Sequence, residues 1–265
     1  MNIYWHEMRA NLKSLLLWCA GLSLLIAAGM MKYSAFVAAG ESVNALFAQM
    51  PQAVQAMAGS NQFDLSKASG FYGVLYLYLA LMAAIHAAML GANILAKEER
   101  DKTSEFLFVK PVSRTQVITA KLLAALTNVA LFNLVTLVSS ILVVGYFGKG
   151  EIVAPGIRAL MAGMFMLQLL FLSFGTASAA LAKKPAAAAG IAAGIMLGTY
   201  LLSVLIDMNA KLDPFKFMTP FKYFDARKLL SGSGLEAGYI ALAAGWIALF
   251  VAATYLLYRK RDMSI

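Results

Sequence analysis

Few residues of this 265-residue chain could carry out chemistry of their own. It has one cysteine, Cys19, and two histidines, so neither an internal disulfide nor a cysteine metal site can form. Residues 145–150 read GYFGKG and lack the spacing and the hydroxyl residue of a phosphate-binding loop, and no HExxH or GxSxG motif occurs. The sequence therefore predicts a chain that is not an enzyme, with no catalytic residue, no metal site and no cofactor of its own.

The residues best suited to contact a partner lie together in one polar stretch, residues 97–121. It reads KEERDKTSEFLFVKPVSRTQVITAK and holds four acids, six bases and one proline between two apolar runs. Asp101 is a candidate cap for a short helix that Pro111 would end. Ser113 and Gln116 form a capping box, which predicts that a long helix begins near Arg114. A stretch of this kind must meet water or another protein.

The composition indicates the elements that hold this stretch in place. Hydrophobic residues make up 61% of the chain and charged residues only 13%, which excludes an ordinary soluble domain. The net charge of +9 comes from bases beside apolar runs, where anionic headgroups and the positive-inside rule account for them. The sequence thus predicts a lipid bilayer as partner and no nucleic acid.

Six apolar runs are long enough to cross a bilayer as helices. The predicted fold is an all-α integral membrane protein, with one transmembrane domain over residues 1–265. A separate interfacial helix is predicted at the N terminus, because Trp5, Met8 and Leu12 share one helical face before Ser14. The predicted spans cover about 15–31, 71–96, 117–147, 159–182, 186–206 and 238–258.

The distribution of Lys and Arg predicts the orientation. With both termini in the cytoplasm, the inner segments carry 13 bases and the outer segments 9, and the inner bases lie close to span ends. Residues 32–70, 148–158 and 207–237 are then extracellular. The first of these segments is expected to hold a surface helix with a possible kink at Pro51.

Two groups of residues within the spans are candidates for function. His86 and Asn93 are polar groups at membrane depth in the second span, and they could line a transport pathway or simply pack between helices. Gly190, Gly194 and Gly198 recur at four-residue intervals in the fifth span. Such a stripe lets two helices touch, either within one chain or between two chains.

The polar stretch resembles a loop in a known family. Acidic residues, then Thr-x-Glu-Phe-Leu, then Lys-Pro-Val-Ser-Arg and a downstream Lys are similar to the cytoplasmic loop between the second and third spans of type 2 ABC exporter permeases. In that family the loop forms a coupling helix that docks into the ATP-binding subunit. The matching positions are Glu98, Glu99, Thr103, Glu105, Phe106, Pro111, Ser113 and Arg114. One departure is Lys102, where many relatives have Gly.

The resemblance carries expectations about function. It implies a transmembrane permease in the bacterial cytoplasmic membrane that exports a hydrophobic, peptide-like or ionic substrate. A separate ATP-binding-cassette subunit would bind ATP and Mg²⁺. A second permease, identical or different, would pair along the fifth span together with the first span. The competing interpretation is an ATP-independent channel, scramblase or secondary transporter, which explains the spans but not the polar stretch.

Overall fold

The computed structural model describes residues 3–38, 43–51, 54–55, 63–101, 112–182, 184–232 and 234–260. All regular secondary structure in these ranges is helical. Six of the helices are long and apolar enough to cross a membrane, which confirms the predicted all-α integral membrane fold.

The helices are numbered here in chain order. Helices α1, α3, α4, α5, α6 and α8 are the six membrane-spanning candidates. A 3₁₀ turn, Pro185–Ala187, precedes α6, and two more, Ala210–Met218 and Pro220–Lys222, follow it. The bounds are α1 Ile3–Ala38, α2 Val43–Ala48, α3 Ala68–Arg100, α4 Arg114–Phe147, α5 Ala154–Leu181, α6 Ala188–Met208, α7 Ala226–Leu230 and α8 Ala237–Lys260.

The N-terminal segment differs from its prediction. Residues 3–14 are not a separate interfacial helix, because they continue without a break into the first span as part of the 36-residue helix α1. No proline interrupts this stretch, so the helical hydrogen bonding can run through it. Its residue Glu7 is buried against other helices rather than turned to solvent.

Helices α3 and α5 form the centre of the bundle and share its most extensive helix contact. In each helix, 61% of an 18-residue apolar segment is buried. They cross at Gly91 and Gly175, where the backbones touch. A Cβ added at Gly91 would lie 2.3 Å from the carbonyl oxygen of Leu172, and one at Gly175 would lie 2.3 Å from that of Ala88. Such close approach increases the dispersion contacts that hold helices together in lipid.

The remaining helices surround this pair. Helix α1 packs chiefly against α4, and α8 packs against α5. Helices α6 and α8 lie at the edge of the bundle, and only 22% and 11% of their 18-residue apolar segments are buried. Their outward faces therefore meet lipid or another protein.

At one end of the bundle, side chains from the loops hold the helix ends. The carboxylate of Glu151 accepts hydrogen bonds from the backbone N–H groups of Ala68 and Ser69, at 2.9 and 3.1 Å, and so caps the start of α3. Asp64 accepts from Asn44 at 3.0 Å and from Ser66, and the Ser66 hydrogen bond holds the pKa of Asp64 below its usual value. The predicted surface helix is the short α2, followed by a turn before Pro51.

Candidate functional site

Four charged side chains from three helices meet in the interior of the bundle. We call Glu7, Lys97, Glu98 and Lys121 the charge cluster. The Lys97 Nζ lies 2.6 Å from one Glu7 carboxylate oxygen, and the Lys121 Nζ lies 3.6 Å from the other. Lys121 also forms an ion pair with Glu98 and donates a hydrogen bond of 2.5 Å to the backbone oxygen of Ile94. Two acids and two bases make the cluster formally neutral.

The cluster lies where the polar stretch joins the bundle. Lys97 and Glu98 belong to the last turn of α3, and Lys121 lies two turns after the start of α4. Lys121 therefore clamps the two helices that flank residues 102–111. Glu7 adds α1 to the clamp, because it contacts both lysines at once. Three helices are thus fixed to one another beside this segment.

Burial gives the cluster its energetic weight. Lys121 is 0% exposed and Glu7 is 1% exposed. Breaking a buried ion pair by removing one partner typically costs about 3–5 kcal/mol, because a charge remains in a medium that solvates it poorly. Separating the three helix ends would therefore leave unpaired charges in the interior.

The start of α4 matches the sequence prediction. The Ser113 side chain accepts from the backbone N–H of Gln116 at 3.2 Å, and the Gln116 side chain accepts from the Ser113 N–H at 2.9 Å. The predicted capping box is therefore confirmed, and α4 begins at Arg114. The Arg114 Nη1 donates to the backbone oxygen of Arg259 at 3.0 Å, which ties the end of α8 to the same region.

The other residues predicted to contact an ATP-binding subunit fall into two groups. Glu99 is on the last turn of α3 and is 9% exposed. Asp101 follows as the C-cap of that helix, with its carboxylate 3.0 Å from the Arg100 Nε. Thr103, Glu105, Phe106 and Pro111 lie outside the described residues, as does the predicted short helix.

The two polar residues of the second span occupy different surroundings. His86 is 3% exposed, stacks on Phe132 at a centroid distance of 4.7 Å and meets Trp18 edge-on at 5.4 Å. Its Nδ1 has no hydrogen-bond partner among the described residues. The Asn93 side-chain oxygen accepts from the Arg100 Nη1 at 3.1 Å. These contacts are those of packed residues, and a pathway role for His86 or Asn93 stays a prediction.

The glycine stripe of the fifth span faces away from its own bundle. A Cβ added at Gly190, Gly194 or Gly198 would have no described atom within 4 Å apart from the backbone of its own helix. Among the described residues, these three glycines therefore do not pack against another helix of the same chain. The stripe is open to lipid or to another chain.

Three members of the charge cluster were not recognised from the sequence as a site. Glu7 lies in the segment predicted to be an interfacial helix, and Lys97 and Lys121 are the first and last bases of the polar stretch. The signal for Lys121 was present, because a charge within an apolar helix needs an opposite charge nearby. The sequence could not show that Glu7, about ninety residues before Lys97, supplies part of it.

A comparison with known families covers nearly the whole chain. Residues 1–263 match the family described as ABC-2 family transporter protein. Among curated proteins, no significant match is found. Six membrane-spanning helices and a polar segment between the second and third of them fit such a transporter component. The chain therefore belongs to the ABC-2 family of transporter proteins, as a multi-pass permease.

Proposed function

We propose that this permease works in an ATP-driven exporter, in which a separate ATP-binding-cassette subunit contacts residues 98–114 and supplies the energy. The charge cluster is the observation that carries the proposal. It fixes α1, α3 and α4 to one another at the base of that segment, so a force applied to residues 102–111 would move three helices together. An ordinary solvated loop would not need this clamp.

The cluster also divides the roles of the predicted contact residues. Glu98 turns inward to Lys121, and its side chain is 14% exposed, so we assign it to transmission within the chain. Docking then falls to Thr103, Glu105, Phe106 and Pro111, with Glu99, Ser113 and Arg114 supporting the flanking helices. ATP and Mg²⁺ would be bound by the partner subunit.

We further propose that two permease chains pair through α6. Gly190, Gly194 and Gly198 are open on this helix, and only 22% of its apolar window is buried within the chain. Without a hydrophobic driving force in lipid, stacked glycines favour association by letting two backbones touch. The partner could be an identical or a different permease.

The proposed orientation places both termini and residues 97–121 in the cytoplasm of a bacterial cell. Single cysteines at Lys149 and Gln55, in a Cys19→Ser chain, should react with an impermeant thiol reagent added to intact cells. A cysteine at Thr103 should not react. Labelling of position 103 from outside would overturn the orientation.

The proposed coupling is tested by purifying tagged permease from its native membrane and measuring the ATPase activity that accompanies it. Glu105→Lys should lower the recovered ATPase, because reversing a contact charge leaves its partner unpaired, typically at about 2–5 kcal/mol. Glu98→Gln should leave recovery intact while lowering transport per ATP hydrolysed, because it loosens the clamp and not the docking surface.

The control is Lys228→Gln, which changes an exposed charge far along the chain, in the segment before α8. It should alter neither ATPase recovery nor transport. If wild-type permease brings down no ATPase, the ATP-driven proposal fails and the ATP-independent alternative gains. If Glu98→Gln transports normally, the cluster has no part in transmission.

A further inference from the structure

A cavity of about 390 Å³ lies between α5, α6, α8 and the 3₁₀ helix Ala210–Met218. This volume is within the usual range for sites that bind small molecules. Aromatic rings form much of its wall. Phe174 meets Phe250 edge-on at a centroid distance of 5.4 Å, and Trp246 stacks on Phe250 at 5.5 Å. The charge cluster lies on other helices, so the cavity is a separate feature.

The polar side chains in the wall of the cavity already have hydrogen-bond partners within the protein. The three polar side chains are those of Thr199, Tyr223 and Trp246. Thr199 donates to the Met196 backbone oxygen at 2.7 Å, and the Tyr223 hydroxyl donates to the Phe217 backbone oxygen. The Trp246 indole N–H donates a hydrogen bond to the Tyr223 hydroxyl oxygen. A polar ligand would lose its water without replacement, so the occupant must present apolar atoms to this wall.

The cavity opens on the outward side of the bundle. Ile195, Phe217 and Met218 line it and are 50%, 58% and 53% exposed. They lie on α6 and the 3₁₀ helix that follows, beside the least buried spans. Ile195 lies within the membrane-spanning candidate α6, so lipid acyl chains are apolar groups that can reach the opening from this helix.

The 3₁₀ helix that forms part of the opening also carries basic residues. The 3₁₀ helix that contributes Phe217 also carries Lys211 and Lys216. Lys216 lies 2.8 Å from Asp213, but both side chains are 41% or more exposed, so this ion pair is weak and can exchange for another anion. Residues 207–228 hold five bases and three acids, an excess of positive charge that attracts an anionic group.

We propose that this cavity binds one acyl chain of an anionic phospholipid, with the phosphate against Lys211 and Lys216. The aromatic wall excludes water from the chain, and the lysines select the headgroup. This lipid site is additional to the proposed coupling and does not depend on it.

The test is the number of phospholipids that each chain retains. Permease is reconstituted with equal amounts of phosphatidylglycerol and phosphatidylethanolamine, extracted into mild detergent and examined by native mass spectrometry. Wild type should keep one phosphatidylglycerol per chain after the surrounding lipid is removed. Ile195→Trp fills the cavity and should lower that occupancy about tenfold, since overpacking a filled site is costly.

The matched control is Ile191→Trp, one turn earlier on α6. Ile191 is 48% exposed, close to the 50% of Ile195, but it does not line the cavity, so its variant should retain the lipid. Lys211→Gln with Lys216→Gln should abolish the preference for phosphatidylglycerol while leaving an acyl chain bound.

Two results would overturn the proposal. Equal lipid retention by the Ile195 and Ile191 variants would show surrounding lipid only. A preference for phosphatidylglycerol that survives in the double lysine variant would remove the headgroup assignment. The ATPase recovered with each variant is measured in parallel and should match wild type, so failure of the lipid site is distinguishable from failure of coupling.

Discussion

The chain has two sets of glycines within its spans that behave oppositely in the fold. Gly91 and Gly175 lie where α3 and α5 cross, and a Cβ at either would come within 2.3 Å of a backbone carbonyl oxygen. On α6, a Cβ added at Gly190, Gly194 or Gly198 would have no described atom within 4 Å apart from the backbone of its own helix. Gly91 and Gly175 bring two helices of one chain into contact, and the three α6 glycines leave one face of α6 uncovered.

The difference shows how small residues divide their work in a membrane protein. Lipid supplies no hydrophobic force between helices, so close backbone contact has to provide much of the attraction. The α3–α5 contact uses that attraction inside one chain. The α6 stripe remains available for a second chain, which is why substitutions in the two sets should separate folding from pairing.

The largest expected effect is at the crossing. Gly175→Leu places a branched side chain against the backbone of α3, which cannot move aside as a flexible side chain would. We expect a loss beyond the roughly 4–5 kcal/mol that marks exceptional substitutions, so that no folded chain accumulates. Size-exclusion chromatography of a fluorescent fusion measures this. Gly194→Leu is the control and should yield folded chain at the wild-type level.

A somewhat smaller loss is expected at the charge cluster. Lys121→Met leaves Glu7 and Glu98 without their shared cation and should cost about 3–5 kcal/mol in thermal or denaturant unfolding. Adding Glu98→Gln to this variant should recover part of the loss, because it removes the carboxylate that Lys121 no longer neutralises, while Glu7 keeps Lys97 as its partner. If the single variant is as stable as wild type, the cluster does not hold the three helices together.

Pairing of chains should change less than folding does. Gly194→Leu should weaken permease association by about 1–3 kcal/mol, because it fills the space where two backbones are proposed to meet. Cross-linking in membranes at graded protein density measures the shift. The control is Gly245→Leu on α8, an equally open glycine, which should not affect pairing. If Gly194→Leu and Gly245→Leu weakened association equally, the contact between the two permeases would not lie along the α6 glycines.

The smallest effect is expected for exposed charges. The Lys228 Nζ lies 2.5 Å from the Glu236 Oε1, but the two side chains are 55% and 48% exposed. Lys228→Gln should therefore change stability by no more than about 1 kcal/mol. The hydrogen bond with Glu236 raises the pKa of Lys228, so the contribution of this lysine is present at neutral pH and is lost only as the pH rises through that pKa. Unfolding curves at neutral and strongly alkaline pH compare the two conditions.

Several features could be predicted from the sequence because their causes are local. The length and apolarity of six runs lead to six helices, since a helix satisfies all its backbone polar groups within one segment in lipid. The capping box at Ser113 and Gln116 needs only four consecutive residues, and it forms as predicted. The continuity of α1 through residues 3–14 was not predicted, because the burial of Glu7 that accompanies it depends on Lys97 and Lys121 in other helices.

The sequence by itself determined the membrane class, the number of membrane-spanning helices and the start of α4, because hydropathy, helix length and capping act over a few turns. Only the tertiary structure decided which charges pair and which glycines touch. Glu98 and Lys121 meet because α3 and α4 are held side by side, and Gly175 is closed while Gly194 is open because α5 is central and α6 is peripheral. Contacts between helices depend on how the whole bundle fills space, and that arrangement cannot be read from local spacing along the chain.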